Sequence, residues 1–346
     1  MKIHLISGAC GFVGKNMVKR LYRTTTDKLF IVDDLSIGTH PSTWLENFKS
    51  RMHGDLELIG EDERIYFWKG DFRELLFRFR MNPRHIQDSY GLEFERFSDV
   101  FHFAAIVGGR LTIEGDPMAV ALDLSIDAEF FYWACQHKPE RVLYPSSSAA
   151  YPTSLQSPTG AIALSEPDID FTKNLGVPDM TYGWSKLTGE FLAQIAARHY
   201  GVSVVCIRPF SGYGEDQDLS YPVPAIAARA ARKENPFEVW GTGKQGRDFV
   251  HIDDVMDLIL ILMDNVSDGS AYNIGSGILT SFLDLIGVFT KIAGYSPEIL
   301  QLLDKPVGVH SRYSNMDIVK EKFGWMPRIT VEEGMRRVYE AALQKL

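Results

Sequence analysis

Ile3-His4-Leu5-Ile6-Ser7-Gly8-Ala9-Cys10-Gly11-Phe12-Val13-Gly14 is the stretch on which the fold turns. A short apolar run meets three glycines spaced three apart, and a pattern of helical period follows to about residue 22. This order predicts strand, glycine turn and helix, the first half of a βαβ unit. Gly8 permits the tight turn, Gly11 lets the backbone approach a pyrophosphate, and Gly14 lets helix and strand pack closely. The helix N-terminus then turns its unpaired N–H groups toward the phosphates. A second apolar run, Leu29-Phe30-Ile31-Val32, ends at Asp33-Asp34, about 20 residues beyond the glycines. An acidic side chain there accepts hydrogen bonds from ribose hydroxyls and repels a 2′-phosphate, which points to NAD rather than NADP. The spacing is one residue longer than the G-x-G-x-x-G fingerprint.

The alternation continues along the chain. Apolar runs at 65–68, 100–103, 141–144 and 202–207 are separated by segments of helical pattern. Strands alternating with helices predict an α/β fold, a doubly wound parallel sheet of Rossmann type. Ligands collect beyond the carboxyl ends of such strands. Gly70-Asp71, Ala104-Ala105, Ser146-Ser147-Ser148 and Arg208-Pro209 stand at those ends. Ala104 and Ala105 leave room for a cofactor. Asp71 reads either as an acceptor for an adenine amino group or as a solvated turn carboxylate. Residues 1–210 and 247–277 are expected to form the dinucleotide-binding domain, and 211–246 with 278–346 a smaller, discontinuous lobe closing over it.

At 346 residues and 45% hydrophobic, the chain can bury a substantial core. Its net charge of −9 provides no basic field for nucleic acid or an anionic membrane. Cys10, Cys135 and Cys206 form no C-x-x-C pair and no His/Cys cluster, so neither a disulfide framework nor a metal site is expected. No stretch approaches the roughly 18 to 20 apolar residues of a spanning helix. The glycines interrupt the first apolar run too early for a signal sequence. A cytoplasmic protein with no membrane or nucleic-acid partner is expected.

Tyr182-Gly183-Trp184-Ser185-Lys186 carries the candidate chemistry. A tyrosine and a lysine four apart share one helix face. The ammonium is expected to favour the phenolate and lower the phenol pKa from about 10. With a serine hydroxyl from Ser146-Ser147-Ser148 in reach, the pair can take a proton from a hydroxyl or return it.

These segments resemble the extended short-chain dehydrogenase/reductase family, the NAD-dependent nucleotide-sugar epimerases and dehydratases. The likeness covers nearly the whole chain: the three glycines, Asp33, Asp71, residues 146–151, Tyr182/Lys186, Arg208-Pro209-Phe210, residues 247–254 and Phe323-Gly324-Trp325-Met326-Pro327. Ala105-Ile106-Val107-Gly108-Gly109, Tyr151-Pro152, residues 239–243 and Arg312 are most similar to the GDP-mannose 3,5-epimerase and GDP-fucose synthase branch. The resemblance implies Tyr182 as general acid/base, Lys186 as its partner and nicotinamide-ribose anchor, and Ser147 on the reacting hydroxyl. It implies NAD contacts at Gly8, Gly11, Phe12, Val13, Gly14, Asp33, Asp71, Phe72, Ala104, Ala105, Ser146, Tyr182 and Lys186. It implies nucleotide-sugar contacts at Gly108, Gly109, Arg110, Ser148, Ser211, Trp240, Arg247 and Arg312, the last two on the diphosphate, with a GDP-sugar favoured over a UDP-sugar. It also implies a homodimer built on a four-helix interface, with 126–135 and 185–200 as candidate segments.

The departures narrow the reaction. Ala149 stands where the 3,5-epimerase branch carries a proton-exchanging cysteine, and Ser148-Ala149 stand where the 4,6-dehydratases carry Asp-Glu. A methyl group does no acid/base work. Ser211 and Leu124 also replace asparagines usual in relatives. What remains is hydride chemistry at one carbinol, most simply sugar C4: a 4-epimerase, or else a 4-dehydrogenase or 4-keto reductase, then a GDP-sugar 3,5-epimerase, and last a non-catalytic sugar-nucleotide sensor that kept the fold. His251-Ile252-Asp253-Asp254 reads as a helix cap rather than a catalytic group. The Arg/Phe-rich 75–95 segment reads as an amphipathic helix rather than a nucleic-acid surface. Phe237 and Trp240 either flank a base or belong to the core.

Overall fold

The computed structural model describes residues 2–106, 115–158 and 161–346. The predicted alternation is present as an α/β fold with a large, mostly parallel sheet. Its first eight strands are β1 Ile3–Ser7, β2 Lys28–Asp33, β3 Ser50–His53, β4 Leu56–Ile59, β5 Ile65–Lys69, β6 Asp99–His102, β7 Arg141–Pro145 and β8 Val204–Pro209. With the strand Asp268–Ile274 they lie in the order (268–274)-β8-β7-β6-β1-β2-β5-β4-β3. Strand order reverses between β6 and β2 around β1, the crevice where ligands of such sheets gather. β1 pairs in parallel with both β2 and β6.

Alternation along the strands explains why helices cover both faces. Leu5, Phe30, Val32, Val142 and Val204 point into one cluster with Phe72, Phe79, Phe130, Trp133 and Ala196. Ile6, Leu29, Ile31, Leu143 and Val205 point into the other with Met17, Leu21, Val255, Ile259 and Leu262. A sheet buried on both faces needs such near-continuous apolar strands.

Two elements were not foreseen. The hairpin β3–β4 adds two antiparallel strands at one edge. Every residue of β3 is exposed, so its sequence lacks the apolar alternation that announces a strand. The strand Asp268–Ile274 closes the opposite edge against β8.

A third cluster gathers Val223, Ile226, Phe237, Val239, Leu285, Phe289, Met335 and Val338 away from the sheet. Met316, Val319 and Trp325, around the short helix Asp317–Phe323, pack instead against the sheet. The 75–95 segment is divided between the helices Phe72–Met81 and His85–Tyr90, and the first is amphipathic: Phe72, Leu75, Leu76 and Phe79 are inside, while Arg73, Arg78 and Arg80 reach Asp71, Asp55 and Glu129. His251 caps the helix Ile252–Asn265 by accepting from the Asp253 N–H. No described helix is long and apolar enough to cross a membrane.

Candidate active site

The glycine turn is shaped by close approach. Gly8 has φ +63°, and a Cβ there would lie 2.6 Å from the Ala104 nitrogen on the neighbouring strand end. A Cβ on Gly14 would lie 2.1 Å from the Gly8 carbonyl oxygen. The helix Phe12–Thr24 starts from Gly11 with no side-chain cap and no acidic residue in its first turn. Its N–H groups are therefore left for an anion, and the cradle fits a dinucleotide pyrophosphate. Phe12 and Val13 open this helix beside the second sheet cluster. Asp33 is buried at the tip of β2 and accepts from the Cys10 and Leu35 N–H groups, each at 2.8 Å. It braces the turn to β2. Burial, with Asp33 beside it, pushes the Cys10 thiol far above its ordinary range, so that cysteine is inert.

Asp71 caps the helix Phe72–Met81 and is paired with Arg73, which holds its carboxyl below the usual range. The Phe72 ring is spent on the core, against His102 and Phe130. The Ala104 N–H donates to Ser7 Oγ at 3.2 Å. Ser146 donates to Glu190, which also pairs with buried Arg208. Gly108, Gly109 and Arg110 lie outside the described residues.

Tyr182 and Lys186 sit on the helix Met180–Tyr200, with the Lys186 Nζ 5.8 Å from the Tyr182 ring centroid. Ser147 precedes the short 3-10 turn Ser148–Ala150, accepts from the Ala149 N–H at 3.1 Å, and lies near enough to the Tyr182 phenol to favour its ionised form. Ser148 and Ala149 are buried beside it. The expectation of a lowered phenol pKa is corrected here: the Tyr182 pKa is raised. Burial of its hydroxyl outweighs the help of Lys186 and Ser147, and Asp123 and Asp127 add to the rise.

Those two aspartates, passed over in the sequence, make Lys186 part of a buried network. Asp127 accepts from His102 Nε2 at 3.1 Å and from the Tyr144 hydroxyl at 2.5 Å. The His102 Nδ1 lies 2.9 Å from Ser7 Oγ. Since the Asp127 carboxylate can only accept, the neutral His102 keeps its proton on Nε2, and Ser7, which receives the Ala104 N–H, donates its own proton to Nδ1. Burial lowers the His102 pKa, so the ring is neutral. Burial also works against the Lys186 ammonium, yet Asp127, Asp123 and the phenol oxygen hold its pKa above the ordinary lysine value. Asp123 is 0% exposed and accepts from the Ile106 N–H at 2.6 Å. Leu124, the position that drew attention in the sequence, is 39% exposed; its neighbour faces the site.

On the lobe side, the two-residue strands Gly246–Arg247 and Ser311–Arg312 pair in parallel and set Arg247 opposite Arg312. Arg312 donates to Gln156 and to Asp179, the residue before the Tyr182 helix, tying lobe to helix. Arg247 donates to the carbonyls of Gly246 and Val309. Asp248 spends its carboxylate on Ser276, Gly277 and Ser314. Gln156 and Val309 also wall a cavity of about 440 Å³ with Gly241, Thr242, Lys305 and His310. Trp240 is 39% exposed beside it, whereas Phe237 is wholly buried. Ser211 pairs with Phe249 in a short parallel ladder. Among the described residues no group of His, Cys, Asp and Glu is arranged to hold a metal.

Residues 4–275 match the NAD dependent epimerase/dehydratase family. The chain belongs to this family. A putative GDP-L-fucose synthase 2 of Arabidopsis thaliana is 26% identical over 66% of this chain and 70% of its own length. A putative UDP-glucose 4-epimerase of Methanocaldococcus jannaschii is 24% identical over 96% of both. The fold is that of the Thermotoga maritima UDP-glucose 4-epimerase, at TM-score 0.80, 22% identity and 99% coverage of both chains. The family binds NAD, and the uncapped helix and crowded glycines of this epimerase/dehydratase are built to receive it.

Proposed function

We propose that this enzyme is an NAD-dependent nucleotide-sugar 4-epimerase working through a transient 4-keto sugar. The observation that carries the reading is the gathering of Ser147, Tyr182 and Lys186 at one point, with only Ser148 and Ala149 where relatives place carbon-directed acids. Bound NAD supplies the hydride acceptor and donor. The chain's part is proton transfer, and it requires Tyr182 to enter as phenolate: its oxygen takes the C4 hydroxyl proton while Ser147 orients that hydroxyl, and the phenol so formed returns the proton after the keto sugar turns. Lys186, kept charged by its aspartates, compensates the phenolate each time it forms. A nucleoside diphosphate suits the paired arginines 247 and 312, since guanidinium groups match phosphate oxygens. The adjoining cavity is assigned to the base, with guanine favoured over uracil by family likeness.

Residues 1–210 with 247–277, and 211–246 with 278–346, are proposed as cofactor and substrate halves of a cytoplasmic enzyme. Leu124, Tyr132, Trp184 and Phe191 are exposed on the adjoining helices Asp123–His137 and Met180–Tyr200, a surface suited to a homodimer. A second reading, a 4-keto reductase, draws on the raised Tyr182 pKa, since a resting phenol is a proton donor.

Turnover of GDP- and UDP-sugars in deuterated water tests both. A 4-epimer without deuterium at C3 or C5 supports the proposal. Deuterium at either carbon overturns it, and net consumption of NADH with a 4-keto sugar favours the reductase.

A further inference from the structure

Asp123 has one oxygen that nothing uses. Oδ1 takes the Ile106 N–H, while Oδ2 is buried without a hydrogen-bond partner among the described residues. A wholly buried carboxylate oxygen with no donor is costly and demands an explanation. The described groups that interact with it come from three elements: Asp127 on its own helix, itself bonded to His102 on β6; Tyr144 on β7; and Tyr182 with Lys186 on the helix Met180–Tyr200. His102, Tyr144 and Tyr182 are neutral, because burial holds the first low and the two phenols high. Arg208 and Glu190, the other buried ion pair nearby, cancel one another. Among the described residues the count is then Lys186 against Asp127 and Asp123, an excess of one negative charge.

We infer that Asp123 is a positioning carboxylate that selects the redox state of the cofactor: its unpartnered oxygen gives the Tyr182–Lys186 site a negative charge that the cationic nicotinamide of NAD neutralises and the neutral ring of NADH does not. The inference rests on cofactor binding alone, so it stands or falls apart from the sugar reaction. A site of this kind holds the oxidised dinucleotide at rest. The Asp123 carboxyl, raised by burial to about 6, loses its charge on mild acidification, and the preference goes with it.

The test is equilibrium binding of NAD and NADH, by calorimetry on protein stripped of dinucleotide, without any sugar. Wild type at pH 7.5 is expected to bind NAD more tightly than NADH. In Asp123→Asn, which keeps the acceptor for Ile106, the ratio of the two dissociation constants should fall about tenfold, equal to about 30 mV for a two-electron couple. The wild-type ratio should drift toward the variant's between pH 7.5 and 5, and the variant's ratio should stay flat. Equal weakening of both forms, or a pH-independent wild-type ratio, overturns the inference. The wild-type titration decides even if the variant folds poorly.

Discussion

The glycine cradle fits a dinucleotide pyrophosphate and the carboxylate cluster surrounds Tyr182 and Lys186, and the two are built on opposite principles. The cradle uses backbone: Gly8, Gly11 and Gly14 contribute by lacking a side chain, and three residues of a single loop and helix suffice. The cluster uses side chains from distant parts of the chain: Ser7, His102, Asp123, Asp127, Tyr144 and Lys186 meet only because β1, β6 and β7 lie side by side under two helices. The first is a local shape, tolerant of what surrounds it. The second is a charge balance, in which each group is meaningful only through the others.

The largest expected effect falls on the cluster's catalytic end. Tyr182→Phe should lower kcat by about 10²- to 10⁴-fold while leaving NAD affinity nearly unchanged, measured by steady-state kinetics beside calorimetry. Equal loss of both would merge the two regions functionally and break the comparison.

The next effect is on stability and has an unusual sign. Asp123 ionises in the fold only near 6, above the 3.8 of an unburied aspartate. The folded state therefore prefers the protonated acid. Its contribution is most favourable below about pH 4, is lost as pH rises to about 6, and costs about 3 kcal/mol above that. Asp123→Asn should accordingly raise Tm at pH 7.5 and leave it nearly unchanged at pH 4, read by calorimetric melting. A variant destabilised at both values would make Asp123 a purely structural residue.

The cradle should behave differently. Gly14→Ala places a methyl against the backbone of Gly8 and should cost about 1–3 kcal/mol through overpacking, seen as a lower Tm and weaker binding of NAD and NADH alike. Selective loss of one redox form would blur the distinction between shape and charge. The smallest effect belongs to the cradle's rim: Asp71→Ala removes the cap of the helix Phe72–Met81 and should cost about 1 kcal/mol, with little pH dependence above pH 5.

What was legible in the sequence follows from the same contrast. The glycines, the acidic end of β2 and the Tyr182/Lys186 spacing are short-range patterns, each readable within one helix or one turn. The edge strand β3 escaped because all of its residues are exposed and carry no period. Leu124 drew attention instead of Asp123 because a linear reading cannot tell which of two neighbours at a helix start faces inward. The phenol was expected to be acidified by its lysine, because the sequence shows the neighbour but not the burial that outweighs it.

By itself, then, the sequence determined the α/β class of the fold, the glycine turn of the dinucleotide cradle and the placing of Tyr182 and Lys186 on one helix face, because backbone geometry and hydrogen bonding act over a few residues. Only the tertiary structure decided the protonation of Tyr182, the charge of Lys186 and the involvement of Asp123 and Asp127. Those depend on desolvation and on Coulomb interactions between groups far apart in the chain, and neither exists until the sheet has closed around them.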